Sequence, residues 1–383
     1  MTRDDLALNL QRIRVAKGLS QDRLAALSGL SRSAYRNIEG GKVQPRVRNL
    51  EAIARGLEVP MRELLEPAIE LRNVRFRSHK KLRTRRQILT DVGRWLADYN
   101  ALEDLLGARR PYRLHSIAAE QFAIDERPVL AARSARAALE LGSDEPVRDV
   151  CGLLDSAGVK VFAKPVASAG FFGLSVGPSD GGPAVVVNTW ERISVERWIF
   201  SAAHELGHVL LHLDDFDGEQ DEEVEEHERE ADAFAAEFLM PDDIFWREWE
   251  ETYGLPLLER VIKVKRMFRV SYRTVLYRLV PTYEGWGNIW VRFQTDYKRA
   301  SGRSLSGSDE PSGLTPAVFD TAAPEVLRGR EPDQLSPGDF REDRLAGLVR
   351  RAIEAEEISL GRGAEILGLS LTEMRARSAS WIG

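Results

Sequence analysis

The sequence predicts a mostly α-helical fold with one small β-sheet (α+β), divided among several domains. Apolar residues recur at helical spacing along most of the chain, as in LALNLQRIRVA, LAALSGL and LEAIARGL near the start. Three short runs, at 159–162, 171–175 and Ala184–Asn188, lie between Gly and Pro and read as strands. A length of 383 residues suits two or three domains better than one.

Residues 1–66 read as a five-helix helix-turn-helix domain. Ser20 and Ser31 suit the N-caps of its second and third helices. Gly29 supplies the turn between them, and Pro45 and Pro60 mark the starts of the later helices. A basic helical connector is expected over 67–115. The strands and two strong helices, 194–213 and about 226–239, build a central domain over 116–284, the second helix being stopped by Pro241. A linker and irregular region occupies 285–340, where RASGRSLSGSDEPSGLTP has a linker composition. Residues 341–383 form a helical C-terminal region. Within it SLGRGAEILGLSLTEMRAR has the look of a helix-turn-helix but, as a lone helical pair, reads as a packing element.

A hydrophobic fraction of 43% is enough for real cores, and a charged fraction of 30% does not suggest disorder. The single cysteine, Cys151, excludes an internal disulfide and suits a reducing compartment. No apolar stretch approaches the ~20 residues that a membrane span needs. MTRDDLALNL lacks the apolar core of a signal peptide. A cytoplasmic protein with no membrane partner is expected. The net charge of -6 hides an asymmetry: residues 71–113 hold 12 Lys/Arg against 4 Asp/Glu, whereas 214–232 hold 1 against 12. The basic N-terminal part is compatible with a polyanion partner.

SQDRLAALSGLSRSAYRNIEGG has the economy of a helix-turn-helix. Ala25 is small where two helices cross, and Gly29 accepts the positive φ of a tight turn. Leu30 and Ile38 are expected to face inward. Such a unit presents the start of its second helix to the major groove. Here that start is Arg32 and Ser33, with Arg36 and Asn37 one turn on. Arg pairs with guanine and Asn with adenine through two hydrogen bonds each, and Gln21 is placed to touch a phosphate. The segment GLSQDRLAALSGLSRSAYRNIEGGKVQP resembles the lambda-repressor/Cro-like (Xre-like) family over about residues 5–66. The resemblance implies Arg32, Ser33 and Asn37 for bases and Gln21 for phosphate. Tyr35 departs from it, since the family usually has a β-branched aliphatic there.

HELGHVLLH, residues 204–212, raises a different chemistry. His204 and His208 are four apart, hence on one helix face. Two imidazoles so placed suit one zinc ion, and Glu205 between them suits a base for a water activated by that ion. A third ligand is needed. Glu228 lies on the second helix, with Asp232 one turn further on the same face. That spacing lets Glu228 bind while Asp232 fixes the far nitrogen of a ligand histidine. His227 competes as a ligand but points about 100° around the helix. His212 lies two turns from His204 and is expected to support the site.

These residues resemble the ImmA/IrrE family of metallopeptidases, through GLSVGPSDGGPAVVVNTWERISVERWIFSAAHELGHVLLH and EREADAFAAEFLMP. The resemblance covers about residues 145–280. It implies a small zinc-peptidase fold related to thermolysin-like enzymes, with Zn2+ held by His204, His208 and Glu228 and with Glu205 as catalytic base. The acidic insert DDFDGEQDEEVEE is less typical and reads as a solvated loop.

The expected function is a DNA-binding transcriptional regulator fused to a zinc-dependent endopeptidase. Zinc is expected to stabilise the oxyanion, with Tyr272, Arg273 and Tyr277 as guesses for a further donor. The strand Ala184–Asn188 is expected to accept an extended substrate as an added strand. The family resemblance implies that the substrate is a repressor, itself a helix-turn-helix protein, whose removal induces stress or mobile-element genes. The partners expected are double-stranded operator DNA, that protein substrate and a second copy, because helix-turn-helix proteins normally read paired half-sites. One rival is a regulator whose zinc domain senses a ligand and cuts nothing. Another is an antitoxin-type regulator, since the tail helices resemble small antitoxin DNA-binding helices.

Overall fold

The structure is a computed structural model that describes residues 3–65, 71–78, 85–115, 117, 123, 126–142, 145–216, 224–280, 282, 286–306, 309–311 and 334–381. It separates into two compact units, 1–71 with 81–98, and 72–80 with 99–383. The expected mostly α architecture with one small sheet is what the chain adopts.

The first unit contains α1 (Arg3–Ala16), α2 (Gln21–Leu27), α3 (Arg32–Glu39), α4 (Val47–Leu57) and α5 (Met61–Leu65). Leu10, Leu24, Tyr35, Ile53 and Leu64 fill its core. The Ser20 hydroxyl accepts from the Arg23 N–H at 3.1 Å and the Ser31 hydroxyl from the Ala34 N–H at 3.2 Å. These caps satisfy donors that the first helical turn leaves without partners. Gly29 takes φ +64°, which only glycine adopts freely, and Leu30 N–H closes the turn on the Ala25 carbonyl at 2.9 Å. Tyr35 is buried and donates to Glu39 at 2.6 Å. Glu39 also accepts two bonds from Arg14 and one from Gln21, each 2.7 Å. Burial alone would raise the Glu39 carboxyl, but these bonds outweigh it and hold it below the usual range.

The second unit is built on a four-stranded sheet. Its strands are β1 (Val74–Ser78), β2 (Lys160–Lys164), β3 (Phe171–Val176) and β4 (Ala184–Asn188), in the order β1-β3-β4-β2. β2 runs parallel to β4, whereas β3 is antiparallel to both β4 and β1. The helix α6 (Arg85–Leu105) begins in the first unit and ends in the second. After it come α7 (Arg127–Ala138) and α8 (Val150–Ser156). The helix α9 (Val195–Leu211) lies between the sheet and α10 (Glu225–Leu239), and α7 packs on α10. Ala231, Phe234, Ala235 and Phe238, at helical spacing, give α10 its buried face. Gly207 is where α9 and α10 come closest: a Cβ there would meet Phe234 at 3.1 Å and the Ala231 backbone at 3.3 Å. The helices α11 (Asp242–Glu251), α12 (Leu257–Phe268) and α13 (Tyr272–Leu279) complete this core.

Three sequence readings are corrected. Within the basic connector expected to be mostly helical, residues 74–78 form β1; VRFRS alternates, and the alternation is answered by pairing with β3. Within the region expected to be irregular, α14 (Trp286–Ser301) forms because Ile289, Phe293 and Tyr297 recur every fourth residue and bury one face. β4 was expected to accept an extended substrate. It is an interior strand, with both edges already bonded to β3 and β2, so it has no edge to offer.

The tail folds as α15 (Arg344–Glu354), α16 (Leu360–Ile366) and α17 (Leu371–Ala379). Its turn repeats that of α2 and α3. Ser359 and Ser370 cap the helices, Gly368 takes φ +64°, and Leu369 N–H bonds the Ala364 carbonyl at 2.8 Å. The residues 217–223 of the acidic insert and parts of the 299–316 linker lie outside the described residues.

Candidate metal centre

Two helices and two strands build the site. Ser194 caps α9, its hydroxyl accepting from the Arg197 N–H at 3.3 Å, and Glu196 sits favourably in the first turn. From that start the helical repeat places His204, Glu205 and His208 in the core, each 0% exposed. α10 brings Glu228 opposite them. The ligating atoms of His204, His208 and Glu228 all lie within 4.8 Å of one another. His204 Nε2 and His208 Nε2 are 2.9 Å apart, and the Glu228 oxygens lie 3.3 Å from the first and 3.2 Å from the second.

This donor set fits zinc. Bonds of about 2.1 Å to three corners of a tetrahedron hold the donors about 3.4 Å apart, close to the spacing found. The other ring nitrogens are engaged outward. His204 Nδ1 lies 2.7 Å from Asp232 Oδ1, and His208 Nδ1 lies 3.0 Å from His212 Nδ1. Burial pushes His208 down to about 3 and His212 down to about 2, so both rings are neutral at pH 7. A neutral His208 that uses Nδ1 as its donor presents the Nε2 lone pair to the centre.

Glu205 faces the sheet. Ser175 Oγ on β3 donates to Glu205 Oε2 at 2.5 Å, and a Cβ on Gly173 would stand 2.7 Å from Glu205 Oε1. The bare glycine is what lets this carboxylate lie against β3. Arg75 on β1 donates to Glu228 at 3.3 Å and meets His227 Nδ1 at 3.1 Å. His227, the competing ligand of the sequence reading, is therefore turned toward Arg75 and stacks on His212 with ring centroids 4.2 Å apart.

These contacts define a cradle of metal-ligand chemistry with a carboxylate beside it. Residues 154–280 match the family model Peptidase_M78, an IrrE N-terminal-like domain, and residues 10–64 match the helix-turn-helix model HTH_3. The chain joins a helix-turn-helix domain to an M78-type domain. No curated protein matches it significantly. Among solved structures, Bacillus thuringiensis PlcR in complex with the peptide PapR7 and DNA aligns at 14% identity over 99% of each chain, with a TM-score of 0.17. At that score no common architecture follows. No helix among the described residues is long and apolar enough to cross a membrane.

The M78 domain holds together His204, Glu205, His208, Glu228 and Asp232, all named from sequence. Sequence reasoning missed Ser175, Gly173, Arg75 and Glu230. Glu230 lies 2.7 Å from His212 Nε2. Its signal was its place two residues from Glu228 and from Asp232, but helical spacing puts it on another face. The guesses at a further oxyanion donor fare differently. Tyr272 is buried against Phe293, where its hydroxyl takes bonds from Arg273 at 3.2 Å and Gln294 at 3.3 Å, and Tyr277 is 63% exposed. In the helix-turn-helix domain Arg32, Ser33, Arg36 and Asn37 are exposed on α3. Arg32 pairs with Asp22 at 2.6 Å, and Gln21 is turned to Glu39.

Proposed function

We propose that the chain is a DNA-binding regulator carrying a zinc-dependent endopeptidase that cuts a repressor protein. The observation that carries this reading is the convergence of His204 Nε2, His208 Nε2 and the Glu228 carboxylate beside the buried Glu205. These three side chains would hold the ion. Zinc, when bound, supplies a Lewis acid that polarises a peptide carbonyl and makes a water more acidic. Glu205 takes the proton of the attacking water and passes it to the leaving amine. Ser175 fixes one oxygen of that carboxylate at 2.5 Å, which orients the base. Asp232 and His212 fix the histidine tautomers so that Nε2 is the ligand atom.

The exposed start of α3 supports DNA reading. Arg32 and Ser33 stand at the helix start, and Arg36 and Asn37 follow one turn later, the arrangement that reaches base edges in a major groove. A DNA-reading module joined to a peptidase supports a substrate that itself works on DNA, a helix-turn-helix repressor of stress or mobile-element genes. A pair of copies would read paired half-sites.

The test is co-incubation of zinc-loaded protein with candidate repressors, for wild type and Glu205→Gln. The wild type shortens one repressor; Glu205→Gln retains about one zinc per chain and leaves it intact. If the regulatory output in cells survives Glu205→Gln with every repressor at full length, the chain is a sensor and not a peptidase.

A further inference from the structure

The edge of β3 is the edge beside Glu205, and it is already taken. Ser175 on β3 touches Glu205, and β1 pairs antiparallel along that strand with Arg75 opposite Ser175 and Arg77 opposite Gly173. Directly opposed residues share a face of the sheet. Arg75 therefore lies on the Glu205 side, where its guanidinium reaches Glu228 at 3.3 Å and its side chain is only 12% exposed. One general way to bind an extended peptide is to add it as a strand to a sheet edge. One edge accepts one strand.

We infer that the outer edge of β3 is the peptide-binding site and that residues 72–78 occupy it as an internal, substrate-like strand. This rests on the peptidase reading above and names its substrate class. The ligand is an extended peptide running antiparallel to β3, with a basic side chain opposite Ser175. A substrate must displace β1 before its carbonyl can reach the centre, so the resting chain is closed.

The segment is held by contacts suited to such a role. The Asp180 carboxylate accepts from the Arg72 N–H at 2.5 Å and the Asn73 N–H at 2.6 Å. Gly177 N–H donates to the Asn73 carbonyl at 2.7 Å, and Phe76 stacks on Phe171 at 5.1 Å. Asp180 and Arg75 thus clamp the strand at its start and over the centre. The Asp180 clamp involves none of the expected ligands, whereas Arg75 also contacts Glu228, so Asp180 is the clamp that can be removed without touching the centre.

The experiment uses full-length, zinc-loaded protein, as wild type and as Arg75→Ala/Asp180→Ala. Binding of a fluorescent peptide, LRNVRFRSHK, is read by anisotropy with Glu205→Gln added so that the probe stays whole. Hydrolysis of fluorescein-labelled casein is read without it. The double variant is expected to bind the peptide at least about 10-fold more tightly than the parent, about 1.4 kcal/mol, and to cut casein correspondingly faster. Zinc content verifies that the fold is retained. If the double variant loses zinc, Asp180→Ala alone reads the same direction with a smaller gain. Equal peptide affinity in parent and folded variants overturns the proposal. Tighter binding with no hydrolysis in any protein upholds the occupied edge and overturns the peptidase reading instead.

Discussion

His208 on α9 and His212 at the C-cap of that helix, one turn apart, share a hydrogen bond between their Nδ1 atoms at 3.0 Å. Only one of two facing nitrogens can carry the proton. His212 Nε2 lies 2.7 Å from the Glu230 carboxylate, so it is the protonated nitrogen of that ring and His212 Nδ1 is the acceptor. The proton between the rings then belongs to His208, and its Nε2 is left with the lone pair. A carboxylate two residues from Glu228 thus sets the ligand atom of a histidine on another helix, through a second histidine.

Removing either outward partner should weaken the metal. His212→Leu takes away the acceptor for His208, and Asp232→Ala takes away the partner of His204. Each is expected to reduce zinc affinity about 10- to 100-fold, the usual cost of losing such a partner. Competition with a chromophoric chelator measures it. Unchanged affinity in both variants would mean that the tautomers are not set by these contacts.

The α9–α10 crossing should tolerate nothing larger than glycine at 207. An added Cβ meets the Phe234 ring at 3.1 Å and the Ala231 backbone at 3.3 Å, and Phe234 is itself fully buried. Better helix propensity favours Gly207→Ala by about 1 kcal/mol, whereas overpacking costs about 1–3 kcal/mol. A net loss near 1 kcal/mol is expected for Ala and a larger one for Val. Because the crossing sets the distance from Glu228 to the histidines, zinc affinity should fall in the same order. Chemical denaturation and chelator competition check the two together.

The legibility of this chain follows the range of its signals. The HELGH spacing, the EREAD face and the Ser20, Gly29 and Ser31 punctuation are local, so helix period and capping chemistry reveal them. The tail carries the same punctuation, with Ser359, Gly368 and Ser370 at matching intervals, although its sequence reads only as a helical pair that packs. β1 was not legible. The alternation of VRFRS is only five residues long and sits in a basic stretch, and it becomes a strand because β3, about a hundred residues later, offers an edge. The same fact hid Arg75. It also made Ala184–Asn188 look like the receiving edge, because strand order cannot be read from strand content. Glu230 was hidden because its partner His212 looked like the end of a motif.

DNA binding should depend on α3 and on the start of α2 in two distinct ways. Asn37→Ala and Arg36→Ala, if these side chains contact base edges, cost about 1–3 kcal/mol each on the preferred duplex and relax sequence preference. Gln21→Ala, if its amide leaves Glu39 for a phosphate, weakens all duplexes alike. Selection from a random duplex pool, then anisotropy at fixed salt, separates the two. Equal loss on selected and random DNA for Asn37→Ala would assign it to the backbone instead.

Glu342 gives the second unit a pH dependence of opposite sign to the usual acidic residue. Burial pushes its carboxyl from 4.5 up to about 7, although it accepts a bond from the Leu345 N–H at 2.7 Å. Between those two values the folded chain holds a proton that the unfolded chain has released. Stability from this group therefore falls as pH rises from 4.5 to about 7 and stays low above it. Glu342→Gln keeps an acceptor for Leu345 and cannot ionise. It should match wild type near pH 4.5 and exceed it by about 1–3 kcal/mol at pH 8. The comparison is urea unfolding of both proteins at the two pH values, in which groups common to both cancel. A difference that is the same at both pH values would show that Glu342 carries its charge freely in the folded chain.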